Sequence, residues 1–281
     1  MASMKISDAD FKRLYEMMEN KYGINLKQKR VLIEGRLSNT IKQRGFNDFT
    51  SFLNMIFADR TGTEMINLLN KLTTNHTFFM REEEHYQYMR EVVLPYLEKE
   101  KKDRRIYLWS AASSSGEEPY TNIMQLLEYF SGRSTMWNLS TLATDISQRV
   151  LDIAKTASYS KESMKNLPDT WKKKYFAPAK NDKNEIVPDV FKVSQEITKR
   201  VEFKTFNLMD KIPFRMYPFD LVFCRNVMIY FEMDIKVELV NRLYEVLRPG
   251  GFLFIGHAES IPRDRTKFEY IKPAIYRKPL H

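Results

Sequence analysis

Cysteine is almost missing from this chain: Cys224 is the only one among 281 residues. A single thiol excludes an internal disulfide framework and any metal site built on several cysteines. Histidine is scarce as well. The four residues at positions 76, 85, 257 and 281 show no metal-ligand spacing, so no metal is expected. Also missing is any apolar run near the roughly 20 residues that cross a bilayer. The opening MASMKISDADFKRLYE carries no apolar core of a signal peptide, so the expectation is a soluble, cytoplasmic protein with no membrane insertion. Internal repeats and low-complexity segments are absent too. What the chain does hold is core: 43% of its residues are hydrophobic and 13% aromatic, enough for one large or two smaller domains. Lysine and arginine number 45 against 36 acids, and this surplus favours an acidic partner, whether nucleic acid, an anionic lipid surface or an acidic protein.

The order of elements divides the chain. From Ser7 to about Thr74 apolar residues recur at helical spacing, as in Phe11, Leu14, Tyr15 and Met18 or Met65, Leu68, Leu69 and Leu72, with Ser7 and Asn47 as expected N-caps. Residues 1–75 therefore read as a small all-helical domain. Residues 76–104 form a connector, with EEEHYQYMREVVLPYLEKEKK as one helix ending in a solvated charged run. From 105 to 281 the texture changes. RIYLWSA, NLSTLATDI, RVEFKTFNL, FDLVFCRN and GFLFIGH are short apolar runs, several separated by helical patterns, which predicts an α/β domain with a largely parallel, doubly wound sheet. Between Trp171 and Arg200 proline, Asn-Asp and short alternating stretches break that rhythm. A small antiparallel β insertion is expected over about 171–200.

The turn SAASSSGEEPY (110–120) follows the first of these strands and opens a helix. Small residues at 111–116 allow close approach of a ligand beyond the carboxyl end of a strand, where such sheets bind ligands. No Gly-Lys-Ser/Thr is present, and Glu117 and Glu118 would repel a pyrophosphate. Asp145, ending LATD, is placed to accept hydrogen bonds from a ribose diol. A nucleoside with a cationic group answers both requirements, and S-adenosylmethionine is one. The same two glutamates are also what the helix dipole favours in a first turn, and Asp145 is also placed to cap the helix that follows it.

Taken in order, LTTNHTFFMRE, SAASSSGEEPY, LATDIS, VEFKTFNLMD, FDLVFCRNVMIYF and LRPGGFLFIGHAES closely resemble the chemoreceptor glutamate methyltransferase family, CheR, over nearly the whole chain to about residue 261. The resemblance implies a class I S-adenosylmethionine-dependent methyltransferase with a Rossmann-like doubly wound sheet, and S-adenosylhomocysteine as product. It further implies that Asn75, Thr77 and Arg81 reach the cofactor, with Arg81 near the methionine carboxylate and the transfer site. One of Glu117 and Glu118, with Glu118 preferred, lies by the cofactor, Asp145 holds the ribose, Asn207 and Leu208 flank the adenine, and Arg225 and Asn226 line the pocket. Tyr230 matches the tyrosine beside the methyl group, so Arg81 and Tyr230 are the catalytic candidates. Two positions depart from the family: His76 replaces a common glutamate, and Ala112-Ser113 replaces a Gly-Cys. Plainer readings also stand: Tyr230 as core, Arg81 as a surface charge, Cys224 as a buried small hydrophobe and His257 as a pocket residue or a structural one.

The segment KQKRVLIEGRLSNTIKQRG carries Lys27, Lys29, Arg30, Arg36, Lys42 and Arg44 against one acid, Glu34, while Ile33, Leu37 and Ile41 form a stripe toward a core. A basic face with Lys29, Arg30 and Arg36 suits the glutamate-rich cytoplasmic helical bundle of a chemoreceptor, the partner that the family implies; a charged face is also simply soluble. The enzyme is expected to act as a monomer. Two other functions fit the composition. An RNA methyltransferase is one, although such enzymes often carry a proline-aromatic signature such as NPPY where this chain has CRNVMIY, so no nucleic acid is expected. A cofactor-binding signalling adaptor without catalysis is the other.

Overall fold

A computed structural model describes residues 4–73, 77–213 and 218–280. The chain forms two compact units, one comprising Met1–His76 and Tyr230–Ile235, the other Thr77–Ile229 and Lys236–His281. No helix among the described residues is long and apolar enough to cross a membrane.

The first unit contains α1 (Asp8–Tyr22), α2 (Arg30–Gln43), α3 (Phe49–Ala58) and α4 (Thr63–Leu72). Its periodic apolar residues become the core, with Leu14, Met18, Ile33, Leu37, Ile41, Leu53 and Leu68 all buried. Ser7 caps α1 as expected, its Oγ accepting from Asp10 N at 3.1 Å. At α3 the cap is Asp48 and not Asn47. Asp48 Oδ1 accepts from Ser51 N at 2.7 Å, the third amide of the helix, and only the residue immediately before the helix reaches that donor. Glu34, the lone acid of the basic segment, is buried and accepts from Lys5 Nζ at 2.8 Å and Ile6 N at 3.2 Å. The segment Tyr230–Ile235 joins this unit through the antiparallel bridge Ile24–Phe231, a 2.8 Å bond from Asn25 N to Tyr230 O, and a bond from the Asn25 amide to Glu232.

The second unit opens with α5 (Glu83–Tyr88), a widened π-turn over Met89–Val93 and α6 (Leu94–Glu100). The sequence predicts one uninterrupted helix here. Pro95 accounts for the difference, because its ring has no N–H and crowds the carbonyl four residues back, a conflict that a wider turn relieves. The charged run after it is not wholly solvated: Lys101 Nζ lies 3.1 Å from Asp220 Oδ1, a buried carboxylate. The elements that follow are β1 (Arg105–Ser110), α7 (Glu117–Tyr129), β2 (Asn138–Asp145), α8 (Gln148–Thr156), β3 (Ser158–Ser160), α9 (Asp169–Tyr175), β4 (Phe176–Lys180), β5 (Ile186–Val193), α10 (Gln195–Thr198), β6 (Val201–Thr205), β7 (Phe219–Cys224), α11 (Met233–Val246), β8 (Leu247–Ile255), β9 (Glu269–Lys272) and β10 (Ile275–Arg277).

Seven strands form a sheet in the order β6-β2-β1-β7-β8-β10-β9, parallel from β6 to β8, with β10 antiparallel to β8 and β9. This is the doubly wound α/β sheet expected. Every residue of β7 is buried, which is why FDLVFC, apart from Asp220, reads as an apolar run and not as an alternating one. The closing hairpin β9–β10 was not anticipated; its strands are only four and three residues long, too short to show a period. A separate three-stranded antiparallel sheet, β3-β5-β4, forms the insertion. It begins at Ser158, ahead of the expected Trp171, because the three-residue strand Ser158–Ser160 pairs with Val190–Lys192.

Candidate active site

Strands β6, β2, β1 and β7 are neighbours and run parallel, so their carboxyl ends share one edge, and the turns leaving them carry most of the expected site residues. The turn after β1 is shaped from within. Ser114 (φ 47°) and Gly116 (φ 96°) take left-handed backbone conformations. A Cβ on Gly116 would stand 2.7 Å from Tyr159 Oη and 2.9 Å from Ala154 Cβ, so glycine alone fits there. Tyr159 Oη also donates to Ser115 O at 2.6 Å. The two glutamates then diverge. Glu117 accepts from Ser115 Oγ at 2.7 Å and Ser163 Oγ at 3.4 Å, whereas Glu118 accepts from Ser110 Oγ at 2.6 Å and Arg225 Nη1 at 3.1 Å.

Asp145, the last residue of β2, accepts from Ser114 N at 2.9 Å and from Ser147 N at 3.0 Å. One carboxylate therefore pins the β1 turn while serving the first amides beyond its own strand. Burial pushes its carboxyl above the usual range, and these backbone donors pull it back. Asn207 and Leu208 follow β6, whose Thr205 pairs with Asp145. Asn207 Oδ1 accepts from Met209 N at 3.0 Å, and Arg242 holds the same turn by donating to Leu208 O at 2.7 Å and Met209 O at 3.0 Å.

Arg225, just past β7, is the hub. Its guanidinium donates to Glu82 Oε2 from Nε (3.3 Å) and Nη2 (3.0 Å), to Glu118 Oε2 (3.1 Å), to Tyr86 Oη (3.2 Å) and to Arg81 O. Asn226 Nδ2 and His257 N complete the Glu82 carboxylate at 3.0 and 3.2 Å. Burial opposes charge on Glu82, but Arg225 and the other donors prevail and hold its carboxyl at about 2. Burial dominates at Glu118, which is raised despite Arg225. His85, buried beside the guanidinium, is lowered to about 3 by desolvation and is neutral at physiological pH.

The structure thus joins Glu118, Arg225 and Asn226 into one network, and ties the Arg81 backbone to it. Thr77 is half-buried in the same unit. Asn75 and His76 lie outside the described residues. Tyr230 ends a short 3-10 turn, Met228–Tyr230, and groups with the helical unit. Lys29 is exposed at the start of α2; Arg30 pairs with Asp8, and Arg36 donates to Leu72 O at 2.5 Å. Lys27 and Arg44 also pair within that unit, with Glu19 at 2.8 Å and Glu64 at 2.5 Å. Cys224 is buried, and burial pushes its thiol up, so it is no nucleophile.

Tyr86, Glu82 and Glu259, whose carboxylate accepts from Asn226 N at 2.9 Å, escaped sequence reasoning. Glu82 directly follows Arg81, and Glu259 stands two residues after His257 in GHAES; the only signal available was their place inside motifs already singled out. Chain spacing also hid that His85 and His257 meet, with ring centroids 4.6 Å apart. Among the described residues Glu82, His85 and His257 are near enough to share an ion. Each Glu82 oxygen already accepts two donors, and a guanidinium occupies the space beside it, a donor set that suits no cation. A groove of about 930 Å³ on the insertion, lined by Lys165, Lys172, Phe176, Pro178 and Phe191 among others, shares no residue with the network.

Comparison with known proteins decides the family. The domain described as "CheR methyltransferase, SAM binding domain" matches residues 75–276, and "CheR methyltransferase, all-alpha domain" matches residues 9–73. The chain belongs to the CheR methyltransferase family. It is 40% identical over 281 residues to a chemotaxis protein methyltransferase of Borreliella burgdorferi, covering 98% of this chain and 96% of the relative. The corresponding Escherichia coli protein is 32% identical over 274 residues, covering 97% and 92%. As a CheR protein the chain is an S-adenosylmethionine-dependent methyltransferase, and a non-catalytic adaptor is not favoured. The donor set at the sheet edge fits that cofactor. Among the described residues its one buried cation is offset by Glu82 and Glu118, leaving carboxylates, hydroxyls and backbone amides for a sulfonium nucleoside and no cluster of free cations for a phosphate.

Proposed function

We propose that this CheR-family protein is a cytoplasmic enzyme that methylates glutamate side chains of chemoreceptors, producing glutamyl γ-methyl esters during chemotactic adaptation. The observation that carries the reading is that, among the described residues, no side chain in the network is poised as a base. Glu82 is held ionised, Glu118 is tied to Arg225 and Ser110, and His85 is a neutral ring shielded from solvent. A substrate glutamate, with an ordinary pKa of about 4.3, arrives already ionised and needs no base. S-adenosylmethionine, when bound, supplies an electrophilic methyl group on a positively charged sulfur. Asp145 would hold the ribose, Asn207 and Leu208 the adenine, and Thr77, Asn75 and the Glu118–Arg225 pair the methionine end. Arg81 would hold one oxygen of the substrate carboxylate, with Tyr230 orienting the reacting groups. The protein's task is alignment and exclusion of water, since attack of an anion on a cation weakens charge in the transition state.

Receptor choice falls to α2 in this reading. Lys29, Arg30 and Arg36 would steer the acidic helical bundle, with Lys29 contributing most because Arg30 and Arg36 already have partners inside the unit. The test is transfer of labelled methyl groups to receptor fragments, with methanol released in base as the readout. Label that survives base treatment would mean methylation of nitrogen or carbon and would end the ester proposal.

A further inference from the structure

Glu259 belongs to the turn after β8 and is 6% exposed. Its Oε2 accepts from Gly256 N at 2.6 Å and Asn226 N at 2.9 Å, and its Oε1 from Ile229 N at 3.2 Å. Its own amide closes back on Gly256 O at 2.9 Å. Every partner of the carboxylate is a backbone N–H, so an acceptor on both oxygens is required. A glutamine in its place would turn an NH2 group toward donors.

What these bonds restrain is unusual backbone. Asn226 sits at φ 59°, a left-handed conformation that costs on the order of 1 kcal/mol for a residue with a side chain and persists only where the surroundings impose it. The facing strand end is equally constrained. A Cβ on Gly256 would stand 2.5 Å from Asn226 Nδ2, 2.9 Å from Asn226 N and 2.9 Å from Glu259 Oε2. The turns after β7 and β8 are thus clasped, with one carboxylate joining them. Asn226, held by its amide on Glu259, directs its side chain to Glu82, while Ile229, held by its amide, immediately precedes Tyr230.

We propose that Glu259 is a positioning residue for methyl transfer: its carboxylate fixes the backbone of residues 226–229 and thereby the presentation of Asn226 and Tyr230, without touching cofactor or substrate. The proposal rests on the role given to Tyr230 above. It assigns a function to the second half of the GHAES stretch, and it explains why a buried acid there is surrounded by amides and no cation.

The experiment is a double-mutant cycle in the full-length chain, with Glu259→Gln, Tyr230→Phe and the pair, measuring kcat and KM on receptor fragments and S-adenosylhomocysteine affinity by calorimetry. Glu259→Gln should lower kcat about tenfold or more while changing affinity by less than about threefold. In the Tyr230→Phe background the same change should cost much less, because the group it positions is gone. Fully multiplicative losses, or a loss of affinity as large as that in kcat, would overturn the proposal. If Glu259→Gln does not fold, Glu259→Asp keeps the charge, shortens the reach and is held to the same cycle. An unchanged kcat in Tyr230→Phe alone would remove Tyr230 from the reaction and leave the clasp to be judged by the same cycle run with Asn226→Ala.

Discussion

Substituting methionine for Arg225 would test whether the buried network is held by charge. The guanidinium lies 3.0 Å from Glu82 and 3.1 Å from Glu118, and the three side chains are 2%, 14% and 13% exposed. Without it two carboxylates remain with no counter-charge, a loss that costs about 3 to 5 kcal/mol when a buried pair is broken. At roughly 2 to 4 °C per kcal/mol for a domain of this size, the melting temperature at neutral pH should fall by about 10 °C. The pH dependence separates charge from packing. In the native protein Glu82 is depressed to about 2, so its stabilising share is complete above the ordinary carboxylate range and is lost as pH falls toward 2. In the variant, burial is opposed only by the neutral donors Asn226, His257 N and Ser110, so both carboxyls rise relative to the native protein. A raised group favours the fold at low pH and loses that contribution as pH rises through its folded value. The deficit of Arg225→Met should therefore be greatest at neutral pH and narrow on acidification. Urea unfolding at steps from about pH 8 to about pH 5 reads this directly. A difference in unfolding free energy that stays constant over that range would mean the loss is one of packing, and the electrostatic account would be wrong.

Asp145→Ala should weaken S-adenosylmethionine and S-adenosylhomocysteine about tenfold to a hundredfold, the worth of a charge-assisted hydrogen bond; unchanged calorimetric affinity would remove Asp145 from the site. Tyr230→Phe should lower turnover more than cofactor affinity, and equal losses in kcat and binding would point to a binding role instead. Replacing Lys29, Arg30 and Arg36 with alanine should raise KM for receptor at constant cofactor affinity and flatten the fall of activity with salt. Parallel salt curves with an unchanged KM would refute docking by α2 and turn attention to the insertion. In the helical unit Asp48→Ala should cost about 1 kcal/mol in a denaturant titration while Asn47→Ala costs much less, as expected if Asp48 alone caps α3.

The sheet was legible because its central parallel strands are largely buried, so Phe219–Cys224 and its neighbours stand out as apolar runs, while β6 at the edge stays partly exposed. The helical unit was legible because Ile33, Leu37 and Ile41 keep a strict period. Ser158–Ser160 and the closing hairpin escaped because three or four residues show no period, and the break before Pro95 escaped because helical pattern continues through it. At the site, strand ends announced Asp145 and Arg225, but partners could not be read. Glu82 and Glu259 look like ordinary surface acids in one dimension, and only the fold brings them to Arg225 and to the amides of residues 226–229. Around α2 the partners were equally hidden: Lys27, Arg30 and Arg44 pair with Glu19, Asp8 and Glu64 elsewhere in the same unit.

The bridge between Ile24 and Phe231 also bears on how such proteins can be recombined. Six residues that run from the turn after β7 into the first turn of α11 cluster with the amino-terminal helices, more than 150 positions away along the chain. A single cut near residue 76 would therefore strip Asn25 of its bonds to Tyr230 and Glu232 and expose Phe231, which is 8% exposed in the whole chain. An ancestor exchanging helical domains by one crossover would inherit a mismatched Tyr230–Ile235. Chimaeras between relatives should fold best when both stretches come from the same parent, which makes this short segment part of the helical domain's heritage even though its sequence lies inside the methyltransferase.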